Sequence, residues 1–336
     1  MKTKIKQKAY VVSVDMGYGH QRAAYPLRDL ATSRQIINAN SYRGIPAKDR
    51  QIWHQGRALY EFVSRFKQVP AVGQLAFAVF DRFQEIPKFY PKRDLSKTNV
   101  QLLDTIHRIK TRRWGFHLIS KLEKKPLPLL ATCFAPACMA EIYNYNQEIY
   151  LAICDADVSR TWVMPDARQS RINYFAPCQR VVDRLKLYGV KEEKIFLTGF
   201  PLPKENLGGT KLTILKEDFA KRLCNLDPQN TYLAKYRKTI IDQLGHKKLP
   251  KSAGRPLTLT FAVGGAGAQR ELGLTIVQSL AQEIAKGQLR INLVAGIHND
   301  VNHYFNQGIQ ELRLGKHIGR EIKIIFAQNK NDYFKV

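Results

Sequence analysis

The chain has 336 residues, enough for two α/β domains of roughly 100–200 residues each, and its 44% hydrophobic content excludes an intrinsically disordered protein. Its 54 Lys+Arg residues against 28 Asp+Glu residues give a formal net charge of +26, which favours polyanionic partners such as nucleic acid, anionic lipid headgroups or phosphorylated substrates. No stretch approaches the roughly 18–20 apolar residues of a membrane-spanning helix, so any membrane contact is predicted to be peripheral.

Apolar runs alternate with amphipathic stretches through the first 200 residues, and this alternation predicts a parallel, doubly wound α/β sheet. We predict six strands, with the sequences AYVVSVD, QIINANS, PLLATC, IYLAIC, INYFAPC and KIFLTG. Two segments are predicted to be helices, QRAAYPLRDLATS and CQRVVDRLKLYGV. The second is ended by Gly189, and its charged side chains are expected to face solvent. Its apolar face consists of Val181, Val182, Leu185 and Leu187.

The first predicted strand runs into a glycine-containing turn, Gly17-Tyr18-Gly19-His20, and a helix follows at once. A strand, a glycine turn and a helix in this order expose backbone N–H groups and one side chain at the carboxyl edge of a parallel sheet. The imidazole of His20, with an ordinary pKa of about 6.5, suits a base that accepts a proton near neutral pH. The alternative is a structural histidine that caps the helix or bonds a neighbour.

Two carboxylates, Asp155 and Asp157, come directly after the predicted strand IYLAIC. A carboxylate at this place can orient a histidine or accept a hydrogen bond from a substrate. Asp is also among the favoured N-cap residues of helices. The residues alone leave Asp155 open between the two roles and favour the structural role for Asp157.

Aromatic and basic residues are interleaved between residues 51 and 94. Such a mixture suits a membrane interface, where aromatic rings enter the headgroup region and cations meet anionic lipid. We expect Phe77, Phe80 and Arg82 to contact the membrane. The alternative is a helical excursion whose aromatic side chains pack into the core while its charges are solvated.

A lysine-rich, weakly periodic stretch at 201–254 is predicted to be a linker with a helical insertion. The strand LTLTFAV then opens a second α/β unit, and a glycine-rich turn follows it. The backbone of this turn is predicted to approach a phosphate, through Gly264, Gly265, Gly267, Ala268 and Gln269. It is not a Walker loop, because no Gly-Lys-Ser/Thr ends it, and it fits the dinucleotide fingerprint poorly.

Two more strands, RINLVAGI and EIKIIFAQ, complete the predicted second unit. Since three strands are fewer than a doubly wound domain usually has, we expect residues beyond Val336 to complete it. No metal site is predicted, and we expect the scattered cysteines to be reduced, buried thiols of a cytosolic protein. These are Cys133, Cys138, Cys154, Cys178 and Cys224.

Five segments resemble motifs of the lipid-linked glycosyltransferases of the B-type fold, the family that includes monogalactosyldiacylglycerol synthase. They are DMGYGHQRAA, LLATCFAPA, AICDADVSRTW, YFAPCQRVVDRLKLYGVKEEKIFLTGFPL and FAVGGAGAQ, and their order and rough spacing agree over most of the chain. Four positions depart from the family pattern. Tyr18 stands in place of a glycine, Cys133 in place of a histidine, Cys154 in place of a threonine, and Phe200 in place of an aliphatic residue.

The resemblance implies two Rossmann-like lobes, an acceptor-binding domain at 1–200 and the first part of a donor-binding domain at 255–336. It implies that His20 is the base, that Asp155 assists it, and that Gly17, Tyr18 and Gly19 lie at the acceptor. The glycine-rich turn of the second unit would then bind the donor.

The implied activity is transfer of a hexose from a nucleotide sugar, expected to be a UDP-sugar, to a lipid or lipid-linked acceptor, without a cofactor. The protein would be cytoplasmic and peripheral on an anionic inner membrane face. The alternatives are a nucleotide-sugar epimerase or soluble-acceptor transferase of the same fold, and a non-catalytic polyanion-binding protein. Nucleic-acid binding is not expected, because no helix-turn-helix, zinc-ligand or aromatic RNA-binding signature is present.

Overall fold

The computed structural model describes residues 8–16, 18–66, 86–245, 249–264 and 269–333. The chain divides into two compact units, Met1–Pro203 and Lys204–Val336, and each contains one sheet. Several predicted site residues lie outside the described ranges: Gly17, Phe77, Phe80, Arg82, Gly265, Gly267 and Ala268.

Among the described residues of the first unit, six strands form a sheet in the order β2-β1-β3-β4-β5-β6, and every pair is parallel. All six strands predicted from the sequence are present, although each is shorter than its apolar run because the ends of the runs continue into the connecting loops. The strands are β1 (Tyr10–Ser13), β2 (Ile37–Asn38), β3 (Leu129–Ala131), β4 (Ile149–Ala152), β5 (Ile172–Ala176) and β6 (Ile195–Leu197).

Helices follow most of these strands. They are α1 (Tyr18–Ala24), α2 (Ala47–Phe66), α3 (Val100–Arg112), α4 (Phe116–Glu123), α5 (Phe134–Ile142) and α6 (Gln179–Leu187). The predicted helix QRAAYPLRDLATS is wrong in its extent: α1 ends at Ala24, and a 3-10 turn, Tyr25–Asp29, replaces the rest. Pro26 explains the change, because it has no N–H to continue an α-helix.

Successive side chains of the central strands enter two different apolar clusters. Val12, Ala131 and Leu151 pack with residues of α3 to α6, such as Leu102 and Leu185. On the opposite face, the neighbouring strand residues pack under α1 and the 3-10 turn; they are Val11, Leu130 and Ala152. This alternation is the period of two that a strand imposes. Because both faces are covered, the predicted doubly wound, Rossmann-like architecture is confirmed for this unit.

One charged side chain of α6 contradicts the expectation that its charges face solvent. Arg184 is completely buried, and its Nε and Nη2 donate to the Oδ1 and Oδ2 atoms of Asp157 at 2.8 and 2.9 Å. The ring of Phe89 lies 5.0 Å from the guanidinium. The carboxylate of Asp157, in the loop after β4, compensates the charge of this buried guanidinium. The prediction of the helix itself, ended by Gly189 at φ +90°, is confirmed.

In the described part of the second unit, the three predicted strands are present: β7 (Leu257–Ala262), β8 (Leu289–Gly296) and β9 (Ile322–Phe326). They are parallel, in the order β7-β8-β9. The predicted helical insertion forms α7 (Lys204–Leu207), α8 (Thr213–Leu226) and α9 (Thr231–Leu244). The remaining helices are α10 (Glu271–Ser279), α11 (Ala281–Ala285), α12 (Asn299–Glu311) and α13 (Lys330–Tyr333). A second Rossmann-like unit is therefore confirmed.

The core of the second unit depends on close packing between α10 and α12. A Cβ atom at Gly308 would collide with Leu274, and one at Gly273 would meet Phe305 and Phe261. Both glycines are buried. The two helices can approach this closely only because these positions carry no side chain.

The expectation that all five cysteines are buried is wrong: Cys133 and Cys138 are buried, and the other three are only partly so. None of the helices within the described ranges is both long and apolar enough to cross a membrane.

Candidate functional site

The order of strands in the first unit brings His20 and Thr132 together. β1 lies between β2 and β3, so the chain leaves β1 toward one side of the sheet and later continues toward the other. In open parallel sheets, this reversal creates a crevice at the carboxyl ends of the strands, where ligands bind. His20 follows β1 and Thr132 follows β3. The site predicted from the turn after β1 is therefore at the reversal point.

The turn itself differs from the prediction. The helix α1 already begins at Tyr18, so Tyr18, Gly19 and His20 form its first helical turn instead of a loop before it. The backbone that leads into it is fixed by Asn40, whose side chain accepts from the Asp15 N–H at 2.9 Å and donates to the Asp15 carbonyl at 3.1 Å. His20 is thus carried on a helix whose approach is held by two hydrogen bonds.

A hydrogen bond to Thr132 determines the tautomer of His20. The Nδ1 atom of His20 lies 2.6 Å from the carbonyl oxygen of Thr132. Since a carbonyl oxygen only accepts, Nδ1 must carry the hydrogen and donate it. In the neutral ring the lone pair is then on Nε2, which is the nitrogen left to accept a proton from a substrate.

Thr132 also holds the backbone of His20. Its Oγ1 donates to the carbonyl oxygen of His20 at 3.0 Å and lies 3.2 Å from Ser13 Oγ. Thr132 and Ser13 are completely buried. One residue at the end of β3 therefore bonds both the ring and the main chain of His20, which limits rotation of the imidazole.

The protonation states around His20 favour a neutral imidazole. Burial lowers the pKa of His20, although the hydrogen bond to Thr132 and the nearby Asp155 act in the opposite direction. Asp155 is exposed as a residue, yet desolvation of its carboxyl raises its pKa, and His20 opposes that effect. His20 and Asp155, the two residues predicted to be catalytic, are therefore close enough to interact electrostatically.

A thiol from the loop after β4 also lies beside the ring. Cys154 Sγ lies 3.4 Å from His20 Nδ1 and 3.9 Å from the Thr132 carbonyl oxygen. Burial and the neighbouring Asp155 raise the pKa of Cys154 to about 12, so this thiol stays protonated at neutral pH. Burial likewise raises the pKa of Cys133 to about 12. Neither sulfur is activated as a nucleophile, and Cys154 is a protonated neighbour of the imidazole.

Aromatic rings form one side of this site. The ring of Trp162 lies 6.1 Å from that of His20, and the ring of Phe134 lies 6.0 Å from that of Trp162. Trp162 is buried, so its indole restricts the access of water to the imidazole. The desolvation that lowers the pKa of His20 is consistent with this apolar side.

The predicted structural role of Asp157 agrees with its contacts. Its carboxylate accepts from Arg184 and also from Arg180 Nε at 2.9 Å, and its Oδ1 accepts from the Val158 N–H. Burial alone would raise the pKa of Asp157, but the hydrogen bonds from the two arginines hold it below its ordinary value. Asp157 connects the loop after β4 to α6.

The glycine-rich turn of the second unit is described at its two ends. Gly264 is exposed, and a Cβ atom there would meet no atom within 4 Å. Gln269 is exposed and has a positive φ of 63°. Arg270 follows, with its guanidinium 4.5 Å from the ring of Tyr304 and its Nη1 3.4 Å from Asp300 Oδ2. A cation thus lies where the turn enters α10, at the carboxyl edge of β7.

Sequence reasoning did not identify Thr132 and Trp162 as the residues that lie beside His20. Thr132 lies in the segment LLATCFAPA, in which comparison with the family pattern points only to Cys133. The available signal was the end of β3: a polar residue there lies beside the end of β1 if the two strands are neighbours. Within the described ranges, no group of three His, Cys, Asp or Glu side chains is arranged to hold a metal ion.

Comparisons with known proteins add a domain and a structural likeness. Residues 240–332 match the model of DUF6938, a domain of unknown function. No curated protein matches the chain. A crystal structure of UDP-GlcNAc 2-epimerase from Neisseria meningitidis bound to UDP-GlcNAc is 13% identical, with a TM-score of 0.36. The alignment covers 74% of this chain and 59% of that one, so the chain spans less than two thirds of that protein's length.

Proposed function

We propose that this chain belongs to a hexosyltransferase that uses a nucleotide sugar, with Nε2 of His20 as the base. The observation that carries the proposal is the 2.6 Å hydrogen bond from His20 Nδ1 to the Thr132 carbonyl, because it leaves Nε2 unprotonated in the neutral ring. The lowered pKa of His20, caused first by burial, keeps that ring neutral at physiological pH. A positioned base in this state is what deprotonation of an acceptor hydroxyl requires.

In the proposed reaction, the acceptor oxygen forms a bond to the anomeric carbon of the sugar while the bond to the nucleoside diphosphate breaks. The hydroxyl proton passes to His20 Nε2, and the electron pair of the broken bond leaves with the diphosphate. Asp155 assists by stabilising the imidazolium that forms, since its charge raises the pKa of His20. Tyr18 and Gly19, together with Gly17, are proposed to lie at the acceptor.

The donor diphosphate is proposed to bind at the glycine-rich turn of the second unit. Gly264, Gly265, Gly267, Ala268 and Gln269 would bring backbone N–H groups to the phosphates. Free space around Gly264 supports a close backbone approach by a ligand. A lipid acceptor, a UDP-sugar donor and a cytoplasmic, peripheral location on an anionic membrane are part of the proposal, supported by the motif resemblance and by the charge of +26.

The test is an assay of the purified chain with a panel of UDP-hexoses and detergent-dispersed membrane lipids, following UDP release and glycolipid formation. His20→Gln is expected to lower turnover by about 10²–10⁴-fold, the usual contribution of a positioned base. His54→Gln is the matched control, because His54 is an exposed histidine of α2 and should leave turnover unchanged.

The same assay separates the alternatives. Formation of an epimeric sugar nucleotide without acceptor would assign an epimerase, and transfer to soluble sugars would remove the lipid acceptor. Calorimetry with UDP tests the donor site. In Gly264→Ala the added Cβ meets no atom within 4 Å, so weakened binding would report a ligand in that space. No UDP affinity and no turnover in the wild type would favour the polyanion-binding alternative.

A further inference from the structure

The strongest unassigned feature is an apolar stripe on α8. Leu215, Phe219 and Leu226 are 40%, 50% and 62% exposed. They are spaced at i, i+4 and i+11, so at 100° per residue they lie within about 40° of one another on the helix surface. Arg222, at i+7, lies in the same row between Phe219 and Leu226, so the stripe combines three exposed apolar side chains with one cation. Large apolar side chains exposed on one helix face mark a candidate interaction surface.

The stripe lies on a well-supported element. Ala220 of α8 is buried against Leu233, Ile240 and Leu244 of α9, so a neighbouring face of α8 already has its packing partner. Asp227 caps α9 by accepting from the Leu233 N–H at 2.7 Å and the Thr231 N–H at 3.0 Å. The exposed row is therefore held on a folded pair of helices.

The residues around the stripe indicate its partner. α9 exposes two tyrosines, Tyr232 and Tyr236, whose rings lie 4.8 Å apart. Exposed cations of the two helices, namely Arg222, Lys235, Arg237 and Lys238, outnumber their exposed carboxylates, Glu217, Asp218 and Asp242. Exposed apolar side chains, tyrosine rings and an excess of Lys and Arg on one helix pair are a composition that suits a membrane interface.

We propose that α8 and α9 dock on an anionic lipid surface, with Leu215, Phe219 and Leu226 entering the headgroup region and the cations meeting anionic headgroups. A second copy of this chain is a poorer occupant, because it carries the same net charge of +26 and would be repelled. The proposal gives a location to the membrane contact included in the proposed function. Because docking is measured without substrate, its failure is distinguishable from failure of the transferase assignment.

The experiment is co-sedimentation of the full chain with phosphatidylcholine vesicles, with and without phosphatidylglycerol, at low and high salt. Wild type should bind the anionic vesicles and be released by salt. The double variant Phe219→Ser, Leu226→Ser should bind at least about tenfold more weakly, because two large apolar side chains no longer leave water. Arg222→Gln should weaken binding about fivefold. Leu103→Ser, which replaces an exposed leucine of α3, is the matched control and should bind like wild type.

Thermal melts of the double variant should match wild type, since both positions are exposed. As a second measurement, tryptophan in a Phe219→Trp variant should be quenched by brominated lipid, unlike the native tryptophans. Unchanged vesicle binding by the double variant, or equal binding to neutral vesicles, overturns the proposal. So does sedimentation velocity that shows a wild-type dimer and a monomeric double variant, because the stripe would then be a self-association surface.

Discussion

At the scale of single residues, Thr132 and His20 form the most informative pair in the first unit. The side chain of Thr132 holds the main chain of His20, while the main chain of Thr132 holds the ring of His20. Loss of the hydroxyl therefore affects the imidazole through its backbone. The ring hydrogen bond itself survives any substitution that keeps β3 in place.

Thr132→Val is expected to lower the free energy of unfolding by about 1–3 kcal/mol, because a buried hydroxyl with two hydrogen-bonding contacts is lost. Thr132→Val should also lower turnover, because the backbone of His20 loses a hydrogen bond. Thr132→Ser keeps the hydroxyl and should retain most of the turnover. Chemical denaturation measures the stability, and ¹⁵N chemical shifts of His20 report the tautomer. The tautomer is expected to be unchanged, because the ring bonds the main-chain carbonyl of residue 132. A valine variant with wild-type turnover would show that the hydroxyl does not position His20.

The lowered pKa of His20 makes a prediction about acid stability. At a pH well above 6.5, the imidazole is neutral in the folded and unfolded chain, and no proton is taken up on unfolding. As the pH falls below about 6.5, the unfolded chain binds a proton that the folded chain resists, so the fold loses stability until His20 in the folded chain also protonates. Urea denaturation should therefore show wild type losing more stability than His20→Gln over this window. Parallel pH curves for the two proteins would contradict the lowered pKa.

At the scale of elements, the Asp157–Arg184 pair connects the loop after β4 to α6. Asp157→Ala should destabilise the protein by about 3 kcal/mol, because it leaves the buried guanidinium of Arg184 without its carboxylate. Replacing both residues with apolar ones, as in Asp157→Leu with Arg184→Met, should recover much of that loss. Equal destabilisation by the single and double variants would mean that the pair is not what connects these elements.

The elements themselves could be predicted from the sequence far better than their contacts. β-branched apolar runs such as Val11–Val14 indicate strands, and runs of this kind predict nine strands from the sequence alone. Arg184 looked like a solvated charge, because its partner Asp157 is distant in sequence and only the neighbouring positions of β4 and β5 bring the two together. Thr132 escaped notice for the same reason, since it becomes a partner of His20 only when β1 and β3 are adjacent.

At the scale of the whole molecule, each unit has its own apolar cores. One set contains Val12 and Leu151, and the other contains Ile291 and Phe305. A substitution that destabilises one core is therefore expected to leave the other unit folded.

Gly308→Ala tests this separation, because its Cβ would collide with Leu274 and force α10 and α12 apart. We expect the second unit to lose about 1–3 kcal/mol, the usual result of overpacking. Hydrogen exchange should show β7, β8 and β9 losing protection while β1 to β6 keep theirs. Gly56→Ala is the control, because Gly56 has free space and an ordinary φ. Gly287→Ala is unsuitable, because its φ of +69° strains any side chain. Loss of protection throughout both sheets would show that the units unfold together.

The hydrogen-bonded ladder between β1 and β3 also constrains the orientation of the His20 imidazole. Val12 is paired with Ala131, and the next residues along these strands lead directly to the Thr132–His20 contacts. A shift of β3 along β1 would change both hydrogen bonds of His20 together, so the orientation of the imidazole depends on the register of these two strands. The direction of Nε2, the nitrogen proposed as the base, is therefore tied to a strand register and not to the conformation of a single side chain.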